Sequence, residues 1–223
     1  MIEIVPAILA KTEEEFREKI EIARSLSNIV HIDVMDGKFV KETTWAVPEK
    51  MKEILGDLAF EAHLMTSEPE HEAMVWLAAG ASRVYYHAEA SARDELILKS
   101  ALDRSDRVGI AINPDTPLSR ITHVIDRLQR VLVMGVTPGR SGQPFQPIAV
   151  EKIAALKNLR PSLKIAVDGG IRPENAAALV RAGADALIAA TALTDAKEPM
   201  LAVAKFKEII DEACSTPPNN CPA

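Results

Sequence analysis

Three short runs of the sequence concentrate side chains that can ligate a metal or move a proton. They are His31-Ile32-Asp33-Val34-Met35-Asp36-Gly37, His63-Leu64-Met65 and Val167-Asp168-Gly169-Gly170. In extended backbone successive side chains point to opposite faces, so His31, Asp33 and Met35 share one face, and so do His63 and Met65. The apolar Ile32, Val34 and Leu64 then point the other way. Two imidazoles and two carboxylates, His31, Asp33, His63 and Asp168, form a sound ligand set for one divalent transition metal. Imidazole suits Zn, Fe and Co, and carboxylate extends the choice to Mn. Each residue alone has a plainer reading: a strand-end Asp caps a turn, and a lone His packs in a core. Four together at one end of a barrel resist that reading, because buried charge without a partner or a metal is costly.

The elements that must bring these runs together are legible as an alternation. β-rich apolar runs fall at Glu3–Ile8, Ile29–Val34, Ala59–Leu64, Arg83–His87, Val108–Ile112, Arg130–Met134, Lys164–Val167 and Ala186–Ala189. Segments with a 3.6-residue apolar period lie between them, clearest at Glu13–Ser25, Glu70–Ala79, Ile148–Asn158, Pro173–Ala182 and Glu198–Ala213. Strand–helix alternation predicts parallel strands joined by crossover helices, and eight units in 223 residues predict a closed (β/α)8 barrel rather than an open sheet. Pro173 suits a first helical turn, and Gly80 and Gly183 suit helix C-terminal caps. One domain is expected over residues 1–214, with a Pro/Asn-rich, disordered tail over 215–223. In such a barrel the site forms where strands end and βα loops begin, which is where the three runs fall.

A second set of signals points to phosphate. The run Val136-Thr137-Pro138-Gly139-Arg140-Ser141-Gly142-Gln143 follows the sixth strand, Gly169-Gly170 follows the seventh and Ala190-Thr191 the eighth. Loops after strands seven and eight are the usual phosphate-binding place in this fold, and glycines admit close backbone approach. The net charge of −6 speaks against a general nucleic-acid binder but not against a phosphate held by backbone N–H groups. No apolar run approaches the ~20 residues of a membrane-spanning helix, and the N-terminus lacks the pattern of a signal peptide, so a cytoplasmic protein is expected. Cys214 and Cys221 both lie near the end; a disulfide there would staple only a tail, and two plain thiols are the preferred reading.

Together these stretches resemble the ribulose-phosphate 3-epimerase family. The resemblance runs from Pro6-Ala7-Ile8-Leu9 to Thr191. It is carried by HIDVMDGKFV (His31–Val40), HLM (His63–Met65), NPDTP (Asn113–Pro117), VMGVTPGRSGQPF (Val133–Phe145) and VDGGI (Val167–Ile171). It implies a 3-epimerisation between D-ribulose 5-phosphate and D-xylulose 5-phosphate, with one divalent ion as cofactor and a sugar phosphate as small-molecule partner. On that model Asp33 and Asp168 both ligate the ion and act as acid and base on opposite faces of C3. The metal and the protein stabilise the charge of an enediolate. The two carboxyls must start in opposite protonation states. Met35, Met65 and Met134 line the intermediate, with ordinary core packing as the competing reading. His63 contacts the substrate as well as the metal. Gly139, Ser141, Gly142, Gly170 and Thr191 cradle the phosphate, with Gly169 and Ala190 beside them. Arg140 adds a phosphate contact or stays a solvated charge. The family also implies a homo-oligomer, without nucleic-acid or membrane partners.

Four departures fall in substrate contacts and none in the metal set. The family has Ser where this chain has Ala7. The loop after the second strand reads Lys38-Phe39-Val40-Lys41-Glu42, the glycine loop carries Arg140-Ser141, and the eighth strand ends in Ala190-Thr191. An epimerase of another ketose phosphate, such as D-allulose 6-phosphate, is therefore the alternative substrate reading. A non-catalytic sugar-phosphate binder is opposed by the intact two-base pair. A barrel decarboxylase is opposed by Lys38 and Lys164, which lie in a loop and at a strand start.

Overall fold

Eight parallel strands close on one another in the computed structural model: β1 (Glu3–Ile8), β2 (Ile29–Met35), β3 (Ala59–Met65), β4 (Arg83–His87), β5 (Val108–Ile112), β6 (Arg130–Met134), β7 (Lys164–Asp168) and β8 (Ala186–Ala189). Each strand pairs with its sequence neighbour, and β1 pairs with β8 to complete the barrel. The structure describes residues 2–91, 106–140 and 142–215. Ser141, Cys221 and the rest of the expected tail beyond Ser215 lie outside these.

Period-two alternation divides the apolar residues into two cores. Outward-facing Val30, Ile32, Val34 and Leu64 join the helices in one large cluster. Inward-facing Val5, Ala7, Tyr85, Ala111, Leu132, Met134, Ala166, Ala186 and Ile188 form a second cluster inside the barrel. Four of those nine are alanines, and the small side chains leave interior room for His31, Glu61 and His63, all essentially fully buried. The helix Pro199–Ser215 shows how the outer layer forms: Val203, Phe206, Ile210 and Ala213 recur at helical spacing and are its buried stripe.

Helix ends follow the local chemistry. Thr12 caps the helix Glu13–Leu26 by accepting from the Glu15 N–H, and three glutamates occupy the positive first turn. Pro173 opens the helix Pro173–Ala182, and Gly183 closes it in the left-handed conformation at φ 109°. Cys214 is disulfide-bonded, which corrects the reading of plain thiols. Spacing along the chain cannot show which thiols approach within bonding distance. Among the described residues no helix is long and apolar enough to cross a membrane.

β2, β3 and β7 each run one residue further than their apolar pattern predicts, to Met35, Met65 and Asp168. Met35 pairs in register with Met65, and Asp168 with Met134. The His and Asp residues that the sequence singles out as metal ligands therefore sit on paired strands, not on loose loops.

Candidate active site and metal centre

His31 and Asp33 come from β2, His63 from β3 and Asp168 from β7; one ligand atom from each lies within 4.8 Å of all the others. Asp33 stands in register opposite His63. Asp33 Oδ1 is 3.0 Å from His63 Nδ1 and 3.6 Å from His31 Nε2, and Asp168 Oδ2 is 3.7 Å from His63 Nδ1. The sequence-predicted ligand set is thus one cluster, and all four residues are buried.

Whether a cation fits can be tested on His31. Its Nδ1 lies 2.7 Å from Glu61 Oε1, so the ring donates there and keeps its lone pair on Nε2. That Nε2 is buried and has no hydrogen-bond partner. A buried lone pair aimed at two carboxylates is an acceptor among acceptors, and a divalent ion is the group that would satisfy it. Glu61 is itself anchored: its Oε2 is 3.2 Å from Arg83 Nη1, and Arg83 grips both oxygens of Glu3 at 2.6 and 2.7 Å.

The electrostatics separate the two aspartates. Burial pushes Asp168 up, the charge of Asp33 adds to this, and its carboxyl reaches about 6. Burial also acts on Asp33, but contacts from His31 and His63 outweigh it and hold Asp33 well below the usual carboxylate range. Against burial, Asp33 and Glu61 draw His31 up to about 10, so without an ion Nε2 holds a second proton, the one a bound cation would displace to leave the lone pair free. This excess of buried negative charge calls for a cation at the cluster. An ionised Asp33 beside an Asp168 that can carry a proton near neutrality is an acid–base pair set by environment.

Above the cluster opens a cavity. Asp33 and Asp168 reach it, together with Met35, Met65 and Met134. Gly139, Arg140, Gly142, Gly169, Gly170, Ala190 and Thr191 line its loop side, and Ala7 also faces it. His63 does not line the cavity. It is fully buried, with Nδ1 toward Asp33 and Nε2 2.8 Å from His87 Nε2. Ser141 lies outside the described residues.

The loop side is fixed by side chains to which the sequence reading assigned no role. Gln143 Nε2 donates to the carbonyls of Thr137 and Arg140, at 2.7 and 2.8 Å, and folds the glycine loop. Gly170 has φ 68°, and a Cβ there would come within 3.0 Å of Phe145 backbone. Asn175 accepts from the Arg172 N–H and donates to the Gly170 carbonyl, tying this turn to the following helix. Arg140 is paired with Glu42 at 3.4 Å across the mouth and is largely exposed.

Glu61, His87, Glu89 and Asp36 complete the surroundings, and the sequence reading assigned none of them a role. The signal for Glu61 is its place two residues before His63, on the same strand face; that for His87 is the end of β4, level with the other catalytic strand ends. Asp36 accepts from the N–H groups of Lys38, Phe39 and Ser67 and from the Ser67 hydroxyl, shaping the turn after β2.

Comparison with known proteins agrees with this architecture. The pattern of the Ribulose-phosphate 3 epimerase family matches residues 3–194. A ribulose-phosphate 3-epimerase of Schizosaccharomyces pombe is 33% identical, covering 96% of each chain. One of Aquifex aeolicus is 34% identical, covering 95% of this chain and 98% of the relative. Among solved structures, 3-hexulose-6-phosphate synthase from Salmonella typhimurium superposes with a TM-score of 0.69 at 18% identity, over 95% of this chain and 100% of the other, a likeness of fold. With sequence match, barrel and buried His/Asp cluster in agreement, the chain belongs to the ribulose-phosphate 3-epimerase family.

Proposed function

We propose that this chain interconverts D-ribulose 5-phosphate and D-xylulose 5-phosphate by two-base proton transfer at C3. The observation that carries this reading is the pair Asp33 and Asp168, brought from β2 and β7 to one cavity with their proton affinities driven apart. Family membership supports the substrate. Asp33, ionised, takes the C3 proton; Asp168, protonated, delivers one to the other face, and the reverse reaction exchanges the roles. His31 Nε2, Asp33, His63 Nδ1 and Asp168 are the groups that would hold a divalent ion. Bound there, the ion supplies positive charge for the substrate oxygens as C3 loses its proton. Met35, Met65 and Met134 form an apolar wall that keeps water from the intermediate. The turns at Gly139, Gly142 and Gly169-Gly170, with Ala190-Thr191, present backbone toward the phosphate, and Ser141 belongs to the same loop. Arg140 exchanges Glu42 for the phosphate when the ligand arrives. On this reading the protein is a cytoplasmic enzyme of pentose phosphate metabolism.

A longer ketose phosphate such as D-allulose 6-phosphate is the second reading. It is favoured by Ala7, which puts a methyl on the cavity wall where the family has a hydroxyl. A coupled assay with both substrates, before and after EDTA treatment, separates them. Turnover of the pentose phosphate should fall with the chelator, and Asp168→Asn should lower kcat by about 10²- to 10⁴-fold while the fold persists. A folded, metal-loaded protein that is active only on the hexose phosphate would overturn the first substrate. Undiminished activity in Asp168→Asn would overturn the two-base scheme.

A further inference from the structure

The turn after β5, Asn113-Pro114-Asp115-Thr116-Pro117, is one of the family stretches, yet none of its residues lines the cavity. Its contacts lead elsewhere. The Asn113 N–H donates to Glu89 Oε1 at 2.9 Å, and the Thr116 hydroxyl donates to the same oxygen. The buried Lys152 holds the turn from behind by donating to the carbonyls of Asn113 and Thr116. The other carboxylate oxygen, Glu89 Oε2, lies 3.2 Å from His87 Nδ1. His87 Nε2 lies 2.8 Å from His63 Nε2. Phe39 packs over the His87 ring with centroids 4.8 Å apart, and His87 is fully buried.

With both imidazoles neutral, the state in which His63 can ligate an ion, proton counting along this line has one consistent solution. Glu89 is an acceptor only, so the proton between it and His87 sits on His87 Nδ1. His87 Nε2 is then a lone pair. Two ring nitrogens at 2.8 Å share a single hydrogen, so His63 Nε2 must carry it. The lone pair of His63 is left on Nδ1, the atom facing Asp33 and Asp168. The competing tautomer, with its proton on Nδ1, would be a donor to Asp33 and useless as a ligand.

We propose that His87 and Glu89, held by the Asn113–Thr116 turn, are positioning residues that commit His63 to its metal-binding tautomer. This rests on the metal centre read above. It gives the two histidine ligands parallel supports: Glu61 acts on His31 directly, and Glu89 acts on His63 through a second imidazole. Carboxylate partners of this kind fix ring orientation and raise ligand basicity.

The test is to reverse the relay without removing it. In Glu89→Gln the Asn113 N–H and the Thr116 hydroxyl select the amide oxygen at the Oε1 position. The amide NH₂ then faces His87 Nδ1. His87 must accept there, so its proton moves to Nε2 and drives the His63 proton onto Nδ1. Glu89→Ala leaves His87 free to adopt either tautomer. Metal-free full-length protein is titrated with Co(II), reading the visible absorption bands and the affinity against a competing chelator, and the thermal midpoint of each metal-free variant is recorded. We expect Co(II) affinity to fall about 10- to 100-fold in Glu89→Gln, with altered bands, and to fall less in Glu89→Ala. The thermal midpoint of the Gln variant should stay nearer that of the parent. A purely structural role predicts the opposite order, with the near-isosteric Gln harmless. Unchanged Co(II) affinity in Glu89→Gln, or a larger loss in Glu89→Ala, overturns the proposal. Failure of the unaltered protein itself to bind Co(II) would instead bring down the metal centre, and the proposal with it.

Discussion

Asp36 directly follows Met35, the last residue of β2, and its carboxylate is saturated with donors. Burial pushes its pKa up, but the N–H groups of Phe39, Ser67 and Lys38 and the Ser67 hydroxyl prevail and hold it at about 2. Because the folded value is depressed, the associated stability is present above the ordinary carboxylate value of 3.8 and is lost as pH falls through about 2. Asp36→Asn should therefore cost roughly 1–2 kcal/mol near neutrality, after allowance for solvent screening, and almost nothing once the pH lies well below the folded value. Denaturant midpoints across that range check this; a penalty independent of pH would show that packing, not charge, is lost. The candidate ligands were legible in the sequence because two His and two Asp fall together at strand positions that face one end of the barrel, where each alone would have a plain structural reading. Glu61, His87 and Glu89 were not, since their roles arise from register between strands. His31 meets Glu61 across thirty residues of chain, and nothing local announces that contact.

At the scale of elements, the eight strands were readable from apolar runs, and five of them match their predicted limits at both ends. The short helices Met51–Leu55 and Ser119–Thr122 were not, because four or five residues show too little of a 3.6-residue period. The strand ends matter most where β6 meets β7. The Gly135 N–H donates to the Asp168 carbonyl at 2.6 Å, and Gly135 returns its own carbonyl to the Gln146 N–H at 2.7 Å. A Cβ at Gly135 would collide with the Gly169 carbonyl and stand 2.8 Å from the Phe145 ring. Gly135→Ala should thus displace the end of β7 and the Asp168 carboxyl with it. A shift of this kind costs on the order of 100-fold in kcat. Steady-state kinetics together with circular dichroism decide the matter; full activity in a folded Gly135→Ala protein would mean that β7 does not depend on this contact.

Over the whole molecule, the four candidate ligands join β2 and β3 to β7 across the barrel. An ion bound there would stabilise the folded form alone, by about 4 kcal/mol when free metal stands 1,000-fold above its dissociation constant. Chelation should lower the thermal midpoint by several degrees, and Mn, Fe, Co or Zn should restore it in proportion to affinity. A midpoint indifferent to metal would contradict a centre that spans the barrel. One more consequence follows from the column His31–Glu61–Arg83–Glu3, which connects the chemistry to the opposite rim through the barrel interior. Glu3 is the first residue of β1. The far rim is therefore wired to the site by charge. Loss of the Glu3 carboxylate frees Arg83 to claim more of Glu61, and the effect reaches the imidazole at the other end.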